Sequence, residues 1–273
     1  MSSATPILLV GCGKMGSAML AGWRSQGIAA DDVVVVEPAE ALAAELVRNH
    51  GVRVAGGASE VPDGFAPATV IFAVKPQMMD AAAPDYAEFI KGGALALSIA
   101  AGKNLHYFEG LFGSECAIVR TMPNTPAAVG RGITALFAND HVSEQQKQAA
   151  ESLLSAVGQT VWLDDEGQMD AVTALSGGGP AYVFLLIETM AKAGIAAGLP
   201  ADVAARLAHT TVSGAGELAR LADEPPEQLR KNVTSPGGTT LEALNVLMAD
   251  DGIQPLFDKA IAAATRRSRE LAG

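Results

Sequence analysis

Residues 7–16 read Ile-Leu-Leu-Val-Gly-Cys-Gly-Lys-Met-Gly, and they give the clearest indication of the fold class. The four apolar residues predict a buried strand, and the glycines that follow predict a sharp turn into a helix. Gly11 permits the tight turn, Gly13 lets the backbone approach a pyrophosphate, and Gly16 allows the helix to pack closely on the strand. The stretch therefore predicts a dinucleotide site at the end of the first strand. The alternative is a glycine-rich turn without a ligand, because GxGxxG spacing by itself is a weak signal.

Other residues of this loop, and the end of the next strand, are also candidates for cofactor contact. Lys14 and Met15 are predicted to line the site, whereas Cys12 is expected to contribute its N–H and not to act as a nucleophile. Glu37 ends the second predicted strand, where a carboxylate can accept hydrogen bonds from ribose hydroxyls. Its charge would repel a 2′-phosphate, so the sequence favours NADH over NADPH. Alternatively, Glu37 only caps the helix that Pro38 opens.

The first 163 residues alternate short β-branched runs with longer alanine-rich segments. This alternation is typical of βαβ units around a parallel sheet. Strands are predicted at residues 7–10, 33–37, 69–73, 94–98, 117–121, 132–137 and 160–163. The spacing of apolar residues predicts helices at 14–26, 39–50, 78–89 and 143–157. We therefore predict an α/β fold with a Rossmann-like, doubly wound dinucleotide-binding domain over residues 1–163.

Strand signals nearly vanish after Asp164, where glycines and prolines separate helical segments. Residues 164–273 are therefore predicted to form an all-helical dimerisation and substrate domain. Its apolar surface is larger than one small bundle easily hides, so an intertwined dimer is expected. The longest apolar stretch, residues 181–199, contains Glu188 and Lys192, which would be costly in lipid. It predicts a buried helix of a soluble protein.

The composition favours a small-molecule ligand over nucleic acid or a membrane surface. The 273 residues are 49% hydrophobic and 18% charged, and the net charge of −11 opposes attraction to anionic polymers and lipids. Cys12 and Cys116 lack metal-type spacing and predict reduced thiols in a cytoplasm. Residues 1–6 have no basic region before the apolar run, so no export is expected. The four histidines are scattered without ligand spacing, so no metal is predicted.

A second glycine-containing stretch, residues 233–240, reads Val-Thr-Ser-Pro-Gly-Gly-Thr-Thr and directly precedes a predicted helix. Its glycines let backbone N–H groups approach a ligand, and a helix N-terminus attracts anions. Ser235, Thr239 and Thr240 add hydroxyl groups. The stretch predicts a site for a small anion in addition to the dinucleotide, as in a cofactor-dependent enzyme. The alternative is a turn followed by a capping box of Thr239 and Glu242.

Five motifs, taken together and in order, carry a family resemblance. They are residues 11–20 (GCGKMGSAML), 73–77 (AVKPQ), 120–130 (RTMPNTPAAVG), 175–184 (LSGGGPAYVF) and 233–240 (VTSPGGTT). The chain resembles pyrroline-5-carboxylate reductase over nearly its whole length. The resemblance implies a cytoplasmic enzyme of proline biosynthesis that reduces 1-pyrroline-5-carboxylate to L-proline by hydride transfer from NADH or NADPH. It also implies a homodimer or an assembly of dimers.

The resemblance implies roles for individual residues as well. Beyond the first loop, the residues expected along the cofactor are Ala73, Val74, Lys75, Pro76, Ala100, Ala101 and Asn124, the last close to the nicotinamide. The residues expected to receive the substrate are Ser235, Gly238, Thr239, Thr240 and Glu166. Of these, Thr240 is the catalytic candidate, because its hydroxyl can bond the ring nitrogen or relay a proton. Glu166 is placed only by its spacing before residues 175–180, and is otherwise a solvated helix start.

The chain departs from the family pattern at two positions. Gly178 stands where the family usually has serine, which removes a hydroxyl from the bend before a helix. No asparagine is found near Ala58, where the family often contacts the adenosine part of the cofactor. Two alternatives stay open. One is a β-hydroxy acid dehydrogenase, in which Lys192 or Lys231 would have to serve as acid or base, and the other is a nonenzymatic dinucleotide-binding sensor.

Overall fold

The computed structural model of the chain describes residues 5–272. Residues 1–4 and 273 lie outside the described residues, and with them part of the stretch from which no export was predicted. The chain divides into two compact units. Among the described residues, the sheet unit comprises 5–177 and 265–272, and the helical unit comprises Gly178–Ala264. The domain boundary expected after residue 163 stays a prediction.

The sheet unit is built on eight strands. They are β1 Ile7–Val10, β2 Val33–Val36, β3 Arg53–Ala55, β4 Thr69–Phe72, β5 Leu95–Ser98, β6 Ile118–Met122, β7 Gly132–Ala138 and β8 Gly158–Trp162. They form one sheet in the order β3-β2-β1-β4-β5-β6-β7-β8, in which only β6 and β7 pair antiparallel. Because β1 lies between β2 and β4, the strand order reverses beside β1. Open α/β sheets bind ligands at the carboxyl ends of the strands at such a reversal.

Seven α-helices surround this sheet. They are α1 Lys14–Ser25, α2 Glu40–His50, α3 Met79–Ala82, α4 Ala87–Lys91, α5 Leu105–Phe112, α6 Glu144–Ser155 and α7 Met169–Val172. Their ends follow local chemistry. A capping box of Ser143 and Gln146 starts α6, and Gly51 at φ +68° ends α2. A π-helical turn, Thr173–Gly177, follows α7.

The core of the sheet unit lies on both faces of the sheet. Ile7 and Leu9 belong to the core on one face, and Leu8 and Val10 belong to the core on the other. Burial on both faces explains why the central strands are unbroken apolar runs and do not alternate with polar residues. The second core includes a cluster of packed rings: Phe72, Tyr86, Phe108 and Phe112.

The predicted doubly wound fold is confirmed, and the ends of the seven predicted strands differ from the observed ends by at most two residues. The short edge strand β3 and helix α5 were missed. The helix predicted at residues 78–89 is wrong as one element, since the segment consists of short α and 3₁₀ turns. Pro84 lies within it and cannot donate the backbone hydrogen bond that a continuous helix needs.

Five helices follow in the second half of the chain. They are α8 Gly179–Ala196, α9 Ala201–Leu221, α10 Pro226–Asn232, α11 Thr239–Leu247 and α12 Ile253–Ala272. No strand is assigned after Trp162 in the part of the chain that the structure describes, as the sequence predicted. The last residues of α12 belong to the sheet unit, where Ser268 Oγ donates to Asp170 Oδ1 at 2.6 Å.

The helical unit buries almost nothing by itself. Of its described residues, only Ala204 and Ala208 are buried. Helix α8 has no buried residue, so the prediction of a buried helix at residues 181–199 is wrong for a single chain. The segment Glu166–Ala196 is also the one stretch within residues 5–272 that is long and apolar enough to cross a membrane, and 6% of its apolar 18-residue window is buried. The apolar surface of the helical unit is therefore largely uncovered within the single chain.

Candidate active site

The first glycine-rich loop lies at the carboxyl end of β1 and opens α1. Gly11 has φ +84°, and a Cβ there would lie 2.7 Å from Val74 Cγ1. A Cβ on Gly16 would lie 2.8 Å from the carbonyl oxygen of Gly11, so a larger residue would push α1 away. Gly13 is exposed, and around it no described atom lies within 4 Å of a Cβ position. Gly13 is also the N-cap of α1, and no described side chain caps that end, so the first N–H groups of the helix are open to an anion.

Glu37 is held against this loop by two backbone hydrogen bonds. Its Oε2 accepts the N–H of Cys12 at 3.1 Å, and its Oε1 accepts the N–H of Ala39 at 3.0 Å. The Cys12 N–H, expected at the cofactor, is therefore donated to Glu37 in this structure. Ala39 is the N-cap of α2, so Glu37 also supports the start of that helix. A carboxylate has about four acceptor positions, and two bonds leave room for ribose hydroxyls.

The Cys12 thiol is fully buried beside Ser17, whose Oγ lies 3.6 Å from the sulfur. Burial raises the pKa of this thiol to about 11, against the opposing effect of the Ser17 hydrogen bond, and the nearby Glu37 charge raises it further. A protonated thiol is a poor nucleophile. Both observations agree with the expectation that Cys12 is not a nucleophile.

The residues after β4 lie at the same edge of the sheet as the glycine loop. The N–H of Ala73 donates to the carbonyl oxygen of Val10 at 2.8 Å, which fixes the end of β4 beside the end of β1. Val74 is half-buried against Gly11, whereas the side chain of Lys75 is exposed. Pro76 begins a 3₁₀ turn, Pro76–Met78. The structure thus brings the predicted cofactor residues of the glycine loop, 11–16, and those after β4, 73–76, together at the reversal of strand order.

Two of the other predicted cofactor residues, Ala100 and Ala101, follow the neighbouring strand β5. The N–H of Ala100 donates to Ser98 Oγ at 3.2 Å, and Thr121 Oγ1 donates to the carbonyl oxygen of Ser98 at 2.9 Å. Ala100 is buried and Ala101 is partly exposed. The start of this loop is therefore tied to both β5 and β6.

Asn124 connects three segments of the sheet unit. Its Oδ1 accepts the N–H of Ile133 at 3.0 Å, and its Nδ2 donates to Ser176 Oγ at 3.2 Å. The π-helical turn that carries Ser176 also packs closely on β6, since a Cβ on Gly177 would lie 2.5 Å from Met122 Cε. The amide of Asn124 is thus fixed in orientation by its own protein.

The hydrogen-bond partners of the Glu166 side chain lie in the sheet unit. Its Oε1 accepts the N–H of Leu105 at 2.9 Å and pairs with Arg120 Nη1 at 2.8 Å. The Arg120 side chain is 6% exposed and that of Glu166 is 27% exposed. Glu166 is therefore not simply a solvated helix start, which was the alternative to a role at the substrate.

The second glycine-containing loop opens α11 in the helical unit. Gly237 has φ +69°, and a Cβ on Gly238 would lie 3.1 Å from the carbonyl oxygen of Ser235. Gly238 is the N-cap of α11, and within the described chain no side chain caps the helix. The alternative of a capping box formed by Thr239 and Glu242 is therefore wrong.

This loop leaves several hydrogen-bond donors available. No described residue accepts the N–H of Thr239 or Thr240, and the hydroxyls of Ser235, Thr239 and Thr240 have no hydrogen-bond partner among residues 5–272. All three residues are exposed. Donors at an uncapped helix N-terminus can bind a small anion such as a carboxylate.

The lysines that the dehydrogenase alternative requires are exposed and paired. Lys192 Nζ lies 4.0 Å from Glu188 Oε2, and Lys231 Nζ lies 2.6 Å from Glu227 Oε1. Within the single chain neither lysine side chain is buried, and each lies beside a carboxylate of its own helix. Over the described residues, no group of three or more His, Cys, Asp or Glu side chains could hold a metal ion.

Two family models match the chain. The family described as pyrroline-5-carboxylate reductase dimerisation matches residues 166–271. The family described as NADP oxidoreductase, coenzyme F420-dependent, matches residues 6–102, which include the glycine loop and both alanines after β5. The fold, the site and these matches define an oxidoreductase with a nicotinamide dinucleotide domain and a dimerisation domain.

Full-length relatives agree with this class. The chain is 41% identical over 271 residues to pyrroline-5-carboxylate reductase of Pseudomonas aeruginosa, with 98% of each chain covered. The structure matches that of a pyrroline-5-carboxylate reductase from Coxiella burnetii with a TM-score of 0.92, 34% identity and 99% of each chain covered. It matches Plasmodium falciparum pyrroline carboxylate reductase with NADP bound, with a TM-score of 0.82, 28% identity and both chains fully covered. The chain belongs to the pyrroline-5-carboxylate reductase family.

Membership confirms the predicted family, enzyme class and fold, and it does not support the dehydrogenase or sensor alternatives. Sequence reasoning missed three residues that support the site: Ser98, Arg120 and Ser176. Arg120 did carry a signal, because a charge inside the apolar strand predicted at 117–121 is rarely buried without a partner. The two serines carried none, since their roles depend on partners far away in sequence.

Proposed function

We propose which residues of this chain bind the cofactor, which bind the substrate, and which hold the proton of the ring nitrogen in the reaction of its family. The chain is an oxidoreductase that reduces 1-pyrroline-5-carboxylate to L-proline with a nicotinamide dinucleotide. The observation that carries the assignment of the substrate site is the set of available N–H and hydroxyl donors at residues 235–240. The substrate is a small carboxylate, and these donors match its charge and size.

The cofactor is bound at the reversal of strand order in the sheet unit. The N–H groups at the start of α1 hold the pyrophosphate, with Gly11, Gly13 and Gly16 giving the backbone its close approach and with Lys14 and Met15 lining the loop. The ribose and nicotinamide side is lined by residues after β4, β5 and β6: Ala73, Val74, Lys75, Pro76, Ala100, Ala101 and Asn124. When bound, the cofactor supplies the hydride. The chain's own part is to bind, orient and exclude water.

The substrate carboxylate is held by the loop before α11. Ser235, Gly238 and Thr239 supply hydroxyl and N–H donors, which fix which face of the ring is presented. The Thr240 hydroxyl bonds the ring nitrogen and holds or relays its proton. A protonated imine is already electrophilic, so positioning supplies most of the rate increase. Glu166 is kept as a candidate for substrate contact, because its two observed bonds both use Oε1.

The cofactor preference is for NADH. Glu37 is fixed at the end of β2 by Cys12 and Ala39, so its charge cannot easily turn away from a 2′-phosphate. A like charge held at this point disfavours NADPH. The related Plasmodium falciparum enzyme has been seen with NADP bound, and the ratio of the rates with NADH and NADPH tests the preference proposed for this chain.

The enzyme works as a homodimer or an assembly of dimers in the cytoplasm. The exposed apolar surface of α8 and its neighbours supports this, because the helical unit buries only Ala204 and Ala208 of its described residues within one chain. The net charge of −11 supports the absence of a nucleic-acid partner. A second copy covers α8, so no membrane is needed to bury it.

The reaction is tested with purified protein, 1-pyrroline-5-carboxylate, and NADH or NADPH in parallel, by the loss of dihydronicotinamide absorbance and by proline formation. Rapid oxidation with stoichiometric proline is expected, faster with NADH. A folded protein that binds a dinucleotide and forms no proline with either cofactor would contradict the assignment.

Thr240 is tested by three variants. Thr240→Ala and Thr240→Val should both lower kcat at least about tenfold, since each removes the hydroxyl that bonds the ring nitrogen. Thr240→Ser keeps a hydroxyl and should recover most of the rate, so it serves as the matched control. The Kd of the cofactor should stay unchanged in all three. Wild-type rates in the valine variant would remove Thr240 from the mechanism.

A further inference from the structure

The loop formed by residues 99–104 joins β5 to α5 and carries Ala100 and Ala101, which the proposed function places at the cofactor. Its first end is tied through Ser98. The Ser98 hydroxyl accepts the N–H of Ala100 at 3.2 Å, and the Ser98 carbonyl oxygen accepts the Thr121 hydroxyl at 2.9 Å. The entry to the loop is therefore set by side chains that lie on the strands themselves.

The other end of the loop is tied by a carboxylate from a distant part of the chain. Glu166 Oε1 accepts the N–H of Leu105, the first residue of α5, at 2.9 Å. The neighbouring Asn104 caps the helix by accepting the N–H of Tyr107 at 2.9 Å. Two side chains thus satisfy N–H groups that the first turn of a helix cannot satisfy itself.

Arg120 fixes that carboxylate in place. Its Nη1 lies 2.8 Å from the same Oε1, and the arginine residue is 5% exposed. Arg120 is on β6, opposite Ser98 of β5 in the strand register. The arginine and the serine that tie the two ends of the loop are therefore paired across two adjacent strands.

We propose that Glu166 and Arg120 are positioning residues, which hold the loop at residues 99–104 in the shape that receives the nicotinamide side of the cofactor. The inference rests on the proposed function, since it requires Ala100 and Ala101 to contact the cofactor. It differs from a substrate contact by Glu166, because positioning acts on cofactor affinity and a substrate contact acts on the KM of the imine. The presence of the ion pair is weak evidence for a role in stability, since buried ion pairs add little over well-packed apolar residues.

Two double variants separate the hydrogen bond to Leu105 from the ion pair. Arg120→Met with Glu166→Gln removes both charges and leaves an amide oxygen for the Leu105 N–H. Arg120→Met with Glu166→Leu removes the charges and the acceptor together. Neither leaves an unpaired charge in the buried place of Arg120, so both are expected to fold, and thermal unfolding checks this.

The expected results concern NADH affinity, measured by the fluorescence of the bound dihydronicotinamide, and steady-state kinetics. The leucine double variant should raise the Kd and KM for NADH about tenfold relative to the glutamine double variant, the size expected for the loss of one hydrogen bond that orders a binding loop. The KM for 1-pyrroline-5-carboxylate should differ by less than about twofold between the two double variants, because both remove the Glu166 carboxylate and leave the substrate donors at residues 235–240 untouched.

Equal Kd values for NADH in the two double variants would overturn the positioning role. A rise in the imine KM with unchanged NADH affinity would also overturn it, and would favour a substrate contact by Glu166. The single variant Glu166→Gln is a further arm. The amide oxygen can accept from both Leu105 and Arg120, as Oε1 does in the wild type, so the Kd for NADH should stay close to that of the glutamine double variant, and a Kd close to that of the leucine double variant counts against the proposal. A wild-type protein that binds no dinucleotide would refute the proposed function itself. The comparisons among the variants test only the positioning role.

Discussion

The sheet unit and the helical unit differ in how much of their surface the single chain can bury. Both faces of the central sheet are covered, and β1, β2, β4 and β5 are buried along their whole length. In the helical unit, large apolar side chains along α8 such as Val183, Phe184 and Leu185 are exposed. The sheet unit has a hydrophobic core of its own, whereas the helical unit exposes most of its large apolar side chains within the single chain. An exposed apolar surface of this kind is what a dimerisation domain buries on association.

The two units also differ in how their polar groups are used. In the sheet unit, the side chains of Glu37 and Asn124 are bonded within the protein, so the cofactor loops are largely formed before binding. In the loop before α11, Thr239 and Thr240 keep donors with no partner among the described residues. The proposed cofactor site depends on internal hydrogen bonds, and the loop proposed for the substrate offers its donors directly.

The largest expected effect is on association. Phe184 is 61% exposed on α8 of the single chain. Phe184→Glu would place a charge in the interface that covers this helix, where burying an unpaired carboxylate costs several kcal/mol. We expect the dimer to dissociate, with Kd raised at least about a hundredfold and activity lost. Light scattering coupled to size-exclusion chromatography measures this.

The control for that variant is Val47→Glu. Val47 is 50% exposed on α2 of the sheet unit, where the same introduced charge stays in water. Its oligomeric state and activity should match the wild type. A Phe184→Glu protein that elutes as an active dimer would show that α8 lies outside the subunit interface.

The next effect is on stability and uses one phenylalanine from each unit. Phe72 is fully buried among the rings of the sheet-unit core. Phe72→Ala should lower the free energy of unfolding by about 3–5 kcal/mol, through lost burial and a residual cavity. Phe257 is 41% exposed and packs edge-on against Tyr182 in the helical unit.

The two substitutions should respond differently to protein concentration. Denaturation is measured over about a hundredfold range of protein concentration. The midpoint should shift more with concentration for Phe257→Ala than for Phe72→Ala, because the partner subunit is expected to complete the packing around Phe257. The loss caused by Phe72→Ala should hardly vary with concentration. The same dependence for both variants would contradict the division into a self-sufficient unit and a dependent one.

The sequence predicted the sheet unit better than the helical unit for the same physical reason. A buried strand such as Ile7–Val10 is recognised in the sequence as an apolar run, and the glycines at 11, 13 and 16 predict the local backbone geometry. The apolar helix at residues 181–199 has an equally strong pattern, but a pattern shows only that a face must be covered. It cannot say whether the same chain or a second copy covers it.

The site shows a similar limit. Loop motifs were found because their glycines and prolines act locally, whereas the bond between Glu166 and Leu105 joins residues that are 61 positions apart. Helix α5 was missed because its side-chain cap, Asn104, follows a loop with no other start signal. Long-range polar contacts depend on the register of strands, which single-sequence periodicity does not specify.

A smaller effect tests how Glu37 acts within the sheet unit. Glu37→Gln removes the charge and keeps one oxygen for the N–H of Cys12 or Ala39. The ratio of kcat/KM for NADPH to that for NADH should rise about tenfold, since the repulsion of a 2′-phosphate is removed. Glu40→Gln, one charge removed in the exposed first turn of α2, is the control. An unchanged ratio in Glu37→Gln would mean that Glu37 only supports the loop.

The smallest effect concerns the protonation of Cys12, the buried thiol beside that same loop. Burial raises its pKa to about 11, above its value in the unfolded chain. The folded state therefore holds this proton more tightly, so the stabilisation is present at neutral pH and is lost as pH rises from about 9 towards 11. Burial raises the pKa of Tyr86 to about 12, which acts in the same direction.

We therefore expect the midpoint of denaturant unfolding to fall between pH 8 and about pH 10, and to fall less in Cys12→Ala. Cys116→Ala is the control, because that thiol is only half-buried, although burial raises its pKa in the same direction. The dependence of this transition on protein concentration shows which of the two units begins to unfold at high pH. Since both thiols lie in the sheet unit, the loss at high pH should not depend on protein concentration, and a strong dependence would show that the alkaline transition begins in the helical unit instead.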